Sequence, residues 1–194
     1  ERQHFMTMGN FKHQPNWDAV LTLKKYIWPL IRKELPKAEL HVYGAYVSEA
    51  ARKLHNEKEG FMIKGWIQDK KKAYVNSRVS LAPLRFGAGL KGKLIDAMQY
   101  GTPSVSSSIG VEGIQGELEW NGFVADKPED FARCAVNLYE TEQVWNTAQL
   151  NGIKLLNINF DRSFYEAGFQ HKISQIRQQL NEHRAQNFIG QILA

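Results

Sequence analysis

Six short apolar runs punctuate the chain, and the segments between them switch to helical spacing. "HFMTMG" (4–9), "ELHVYG" (39–44), "FMIKG" (61–65), "VSLAPL" (79–84), "PSVSS" (103–107) and "NGFVA" (121–125) predict strands. In "VSLAPL" only Ser80 interrupts the apolar run, which reads as a strand buried on both faces. Val20, Leu23, Ile27, Leu30 and Ile31 predict a helix from Asn16 to Glu34, stopped by Pro36. Further helices are predicted over 47–57, with Ser48 as N-cap, over 68–77, with Asp69 near its start, and from Gly92 to Tyr100, ended by Gly101 and Pro103. Pro128 opens another that runs to Glu140, and two more follow over 142–156 and 163–183. The last of these carries Phe164, Tyr165, Phe169, Ile173, Ile176 and Leu180 on one stripe. Residues 184–194 have no clear periodicity and remain an unassigned tail.

Strands alternating with helices predict an α/β fold: a doubly wound, mainly parallel six-stranded sheet with helices on both faces and the C-terminal helices packed outside. Ligands of such sheets sit at the carboxyl ends of the strands. The loops at 9–16, 44–48, 65–69, 84–92 and 107–114 are therefore where chemistry is expected.

The richest of these loops lies in "PLRFGAGLKGKLIDAMQYGTPSV" (83–105). Gly87, Gly89 and Gly92 spell a dinucleotide fingerprint, but the next strand ends in Ser106, Ser107 and Ser108 with no acid to hold a ribose. Gly87, Gly92 and Lys93 spell a P-loop, but Leu94 stands where a hydroxyl should hold magnesium. The third reading is a metal-free diphosphate site. Its glycines admit close backbone approach, and the helix starting near Gly92 offers free N–H groups and a positive dipole end. Lys91 and Lys93 at that terminus oppose the helix dipole unless an anion is present. Asp96 lies one turn deeper, about 5 Å along the axis, where it can accept both hydroxyls of a ribose diol.

With 194 residues, 43% apolar and 23% charged, the chain has the profile of one globular domain. A single cysteine, Cys134, excludes an internal disulfide and any cysteine-based zinc cluster, and a reducing cytosol is the simplest setting. No stretch reaches the length of a membrane span, and residues 1–15 lack the apolar region of a signal peptide. The net charge of +5 suits an anionic partner. The basic residues are scattered apart from Lys70, Lys71 and Lys72, which read as a solvated helix face, so nucleic acid is not expected. His4, His13, His41, His55, His171 and His183 show no metal-ligand spacing, and no metal or cofactor is expected.

The segment 79–114 resembles the donor-site segment of the family-4 retaining glycosyltransferases, also grouped as glycosyl transferases group 1. "KLIDAMQYGTPSV" is similar to their "LLEAMA-G-PVV" block, "MGNFKHQPNWDAV" to the first strand–loop–helix of their C-terminal half, and "GWIQD" to their nucleobase loop. "ELPKAELHVYG" resembles their second strand, so the likeness covers about residues 5–125 in order. It implies the C-terminal, donor-binding domain of a GT-B enzyme, Rossmann-like over 1–160. A helix over 161–183 would return toward an N-terminal Rossmann-like domain of the same polypeptide, followed by the tail at 184–194.

The implied activity is metal-independent, retaining transfer of a sugar from a nucleotide-diphosphate sugar to an unidentified acceptor, a saccharide or a lipid-linked molecule. The implied setting is the cytoplasm, at the inner membrane face in the full-length protein. Catalytic residues and the acceptor site would lie largely in the N-terminal domain, and the chain alone is expected to bind donor without turnover. Of the family's two glutamates, the second corresponds to Asp96, for the ribose, and the first to Ala88. The family's phosphate-holding Arg and Lys fall at Asn10 and Asn16, so the charge is expected to have moved to Lys91, Lys93 and Arg85, beside Gly87, Gly89 and Asn10. Gly65, Trp66 and Ile67 would line the base pocket, and Gly9 would sit beside the donor. Glu112 and Gly113 are expected at the start of a short helix after the fifth strand. A magnesium-dependent, P-loop-like phosphotransferase and a non-catalytic nucleotide-binding module remain as alternatives.

Overall fold

The structure, a computed structural model, describes residues 2–186. Six strands form one parallel sheet: β1 (Gln3–Met8), β2 (Leu40–Tyr43), β3 (Phe61–Gly65), β4 (Ser77–Ala82), β5 (Ser104–Ser106) and β6 (Gly122–Val124). Their order is β3-β2-β1-β4-β5-β6, with β1 paired in register to β2 (Phe5 beside Leu40) and to β4 (Phe5 beside Val79). The chain winds outward from β1 one way and from β4 the other. That makes the doubly wound Rossmann-like fold expected from the pattern and puts the topological switch point between β1 and β4.

One sheet face is covered by α1 (Gln14–Thr22), α2 (Trp28–Glu34) and α7 (Pro128–Glu140). Phe5, Leu40, Val79, Leu81 and Val105 meet Leu23, Ile27, Trp28, Ile31, Phe131 and Leu138 there. Phe5 stacks on Tyr139 with ring centroids 4.6 Å apart, and the Trp28 indole donates to the Glu59 carbonyl at 2.7 Å. On the other face Met6 packs with Ala73 and Tyr74 of α4 (Lys70–Asn76) and Ala97 of α5 (Gly92–Gln99). Between β2 and α4 lies α3 (Glu49–Arg52), and after β5 comes α6 (Ser108–Val111). α8 (Glu142–Asn159) buries Ala148, Gly152 and Leu155, and Asn151 donates to the Trp120 carbonyl at 3.2 Å.

The boundary between two compact units falls between Asn159 and Phe160. The second unit contains α9 (Arg162–Gln178) and α10 (Leu180–Ala185), so the single helix expected over 163–183 breaks at Gln179. Within it Phe169 and Ile173 are exposed. The tail expected at 184–194 is described only to Gln186, and the rest lies outside the described residues.

Three other elements depart from the pattern. The helix expected from Asn16 to Glu34 is split by a π-helical turn at Leu23–Ile27, where the Trp28 N–H reaches the Leu23 carbonyl. Pro29 explains it: proline has no N–H for the Lys25 carbonyl and its ring would strike that group, so the ladder shifts by one residue. The helix expected over 47–57 is a single turn, although Ser48 caps it by accepting from Ala51 N at 3.1 Å. α6 begins at its N-cap Ser107 and ends at Glu112, so Glu112 and Gly113 close that helix rather than open it.

Candidate functional site

The loops leaving β1 and β4 face each other across the switch point. β1 ends against Gly9, and a Cβ on Gly44 would come 1.9 Å from the Gly9 carbonyl oxygen, so the β1 and β2 exits are in backbone contact. After β4 the chain turns through Gly87 and Gly89, with φ of 132° and 74°, conformations that favour glycine. The loop then delivers Lys91, Gly92 and Lys93 to the start of α5.

Gly87, Ala88, Lys91, Gly92 and Lys93 line a cavity of about 180 Å³ with His13 and Asn16 from the start of α1. No side chain caps α5, and its first turn holds no acidic residue. Helix starts are ordinarily capped by a side-chain acceptor, so this terminus presents N–H groups and positive charge to the cavity. Lys91 is only 8% exposed, and its ammonium has no hydrogen-bond partner among the described residues. The nearest carboxylate, Glu112 at the end of α6, is 3.9 Å away and largely exposed. A buried charge held by one long, solvent-exposed ion pair is poorly compensated, and a bound anion would relieve that cost. Lys93 is half-buried as a residue, while its ammonium end is enclosed and donates to Asn16 Oδ1 at 2.5 Å. Burial pushes that ammonium down to about 8.

Asp96 is brought to the same helix one turn on, but it is not unpartnered. Both its oxygens accept from Lys70 Nζ, at 2.7 and 2.8 Å. This bond raises the Lys70 ammonium above its ordinary value. Lys70 therefore does not stand on a merely solvated face. Asp69 caps α4 by accepting from Lys71 N at 3.0 Å, which sets Lys70 at the first helical position. The pairing joins residues 26 positions apart on two helices, and no local spacing could have found it.

Gly65, Trp66 and Ile67 leave β3 beside a second cavity of about 210 Å³. Trp66 and Ile67 line it with Gly9, Asn10, Gly44 and Lys70, and Trp66 is 69% exposed. Gly65 has φ 75° and accepts from Gly44 N at 2.8 Å. The two cavities share one link. Asn16 Nδ2 donates to the Asn10 carbonyl at 3.2 Å while Asn16 Oδ1 holds Lys93. Arg85 is not brought to the lysines. Its guanidinium pairs with Asp18, and it lines a separate cavity of about 480 Å³ with Tyr26 and Asp126. Leu94, at the P-loop hydroxyl position, is fully buried.

No curated protein sequence matches the chain. Among solved structures, a TarM mutant of S. aureus in complex with fondaparinux, α-GlcNAc-glycerol and UDP superposes with a TM-score of 0.71 at 15% identity, over 88% of this chain and 36% of that one. The pneumococcal O-GlcNAc transferase GtfA, in complex with UDP and GlcNAc, gives 0.69 at 15% identity, over 90% and 36%. Anabaena HepE in complex with UDP gives 0.68 at 13% identity, over 90% and 49%. The chain thus spans about a third to a half of the length of these structures, and at such identities the likeness is one of fold. Sequence carries the rest: residues 2–141 match the model of the glycosyl transferases group 1, and the chain belongs to that family.

Proposed function

We propose that this chain is the donor-binding half of a retaining glycosyltransferase that holds a nucleotide-diphosphate sugar at the β1/β4 switch point without a metal. The buried Lys91 ammonium, with no hydrogen bond among the described residues and only a 3.9 Å ion pair to an exposed Glu112, carries the proposal. It faces a cavity at the mouth of an uncapped helix, in the position where the fold presents its ligands. Lys91, Lys93 and the first N–H groups of α5 would bind the diphosphate. As the bond from the anomeric carbon to the diphosphate oxygen breaks, they would stabilise the charge that gathers on the leaving group. Asp96 would take the ribose hydroxyls, since each carboxylate oxygen has a further lone pair beyond the one given to Lys70. Trp66 and Ile67 would flank the base. The acceptor, a saccharide or lipid-linked molecule, would bind against an N-terminal Rossmann-like domain, and its hydroxyl oxygen would form the new bond to the anomeric carbon, its proton passing to the departing diphosphate. The exposed Phe169 and Ile173 of α9 suit the helix that would return to it.

Calorimetric titration with UDP, GDP and ADP, with and without magnesium, tests the reading. One diphosphate is expected to bind equally well without metal, and Lys91→Ala is expected to weaken it by about 1.5–3 kcal/mol, the range for charge-assisted hydrogen bonds. Binding that appears only with magnesium, or that ignores Lys91→Ala, would refute it.

A further inference from the structure

At the opposite end of β1 the sheet assembles a second group of polar side chains. His4 on β1, Glu39 just before β2 and His41 on β2 point to the same sheet face, and each offers a metal-ligating atom within 4.8 Å of the other two. His41 Nε2 lies 2.7 Å from Glu39 Oε2, and His4 Nδ1 lies 3.8 Å from the same oxygen. The two imidazoles stack with centroids 4.4 Å apart. The 2.7 Å contact is a hydrogen bond, which an ion would open toward the roughly 3.4 Å that bonds of about 2.1 Å at tetrahedral angles impose, while the 3.8 Å pair would close slightly.

A second feature marks the place. His4 sits inside β1 with φ 63°, a conformation uncommon for any residue other than glycine. Strain of this kind collects where the surrounding structure has a use for the side-chain direction, and here the ring is held over His41. The other imidazole nitrogen of His41, Nδ1, lies 3.4 Å from the Tyr43 hydroxyl. Without metal, Nε2–H donates to the Glu39 carboxylate at 2.7 Å, and an ion bound between the two groups would displace that proton. The groups facing the cluster are Tyr43 from β2 and Lys64 from β3.

We propose that His4, Glu39 and His41 form a three-ligand site for a divalent transition ion of the zinc class, with water completing the coordination. Two histidines and a carboxylate suit zinc over calcium or magnesium, which prefer oxygen alone. The site clips β1 to β2 at their amino ends. Four strand residues and five rises, roughly 16 Å, separate His4 from Gly9 at the carboxyl edge. The site is therefore independent of the donor reading.

Zinc titrated into the 194-residue chain should bind one equivalent and, at a hundredfold excess over Kd, raise the melting temperature by roughly 5–10 °C. His41→Gln and Glu39→Gln should each abolish the shift, while the exposed His171→Ala should retain it. His4→Ala should abolish it as well, and metal-free melting curves establish that each variant is folded. Should His4→Ala fail to fold, the His41 and Glu39 variants decide the matter. UDP affinity should be unchanged by zinc. No saturable zinc binding to the parent chain, or binding that persists in the His41 and Glu39 variants, overturns the proposal.

Discussion

Lys93 donates to Asn16 inside the protein, and burial lowers its ammonium to about 8, against an ordinary value near 10.4 in the unfolded chain. Between those two values the unfolded chain binds more protons than the folded one, so stability rises with pH across that window. Below about 8 both states are protonated and the folded state carries a constant penalty. Lys93→Met should relieve part of it and raise stability by roughly 1–2 kcal/mol, after allowing for the lost Asn16 bond. The same substitution should weaken diphosphate binding. In the parent chain, affinity for a nucleoside diphosphate should begin to fall as pH rises above about 8, because the phosphates are already ionised and Lys93 loses its charge there, and ADP, whose base does not ionise in this range, is the diphosphate that isolates the effect. Titrations from pH 7 to 10 check this. Constant affinity over that range, or a Lys93→Met protein that binds as tightly as the parent, would mean that Lys93 does not meet the anion.

At the scale of elements, α5 serves both core and site. Leu94, Ala97 and Met98 are its buried face, while Lys91, Gly92 and Lys93 supply its cavity end. Leu94→Ser, which completes the P-loop spelling, should therefore fail to create magnesium dependence. It should cost about 2–5 kcal/mol, since it empties a fully buried leucine site and leaves a hydroxyl there. Thermal melting and titration with and without magnesium read both effects, and a stable variant with metal-dependent nucleotide binding would restore the P-loop alternative. This element is legible in the sequence: Gly101 and Pro103 mark its end, and the glycine loop that closes at Gly92 marks its start. The π-turn was not read because the apolar spacing from Val20 to Ile31 runs straight through Pro29. Arg85 could not be placed from its loop, because its partner Asp18 lies on α1. Lys70 with Asp96, and His4 with His41, meet only through the tertiary arrangement of helices and strands, which hydrophobic period does not encode.

On the scale of the whole molecule, the first unit supplies the sheet, the core and every group proposed to touch the donor. The structures it resembles are roughly twice its length: the superposed part is 36% of one and 49% of another. A transferase must hold its acceptor against the anomeric carbon and exclude water from the leaving group, and a positioned second substrate is worth several kcal/mol of barrier. The proposed donor contacts, by comparison, all fall on residues between Gly9 and Asp96. The 194-residue chain should therefore bind its nucleotide diphosphate in a titration yet release sugar from the matching nucleotide sugar no faster than buffer does. Joined to an N-terminal Rossmann-like domain of the same polypeptide, it should gain transfer that Lys91→Ala removes. Robust turnover by the chain alone would place an acceptor site on this unit, and the cavity beside Tyr26, Arg85 and Asp126 would be the first place to seek it.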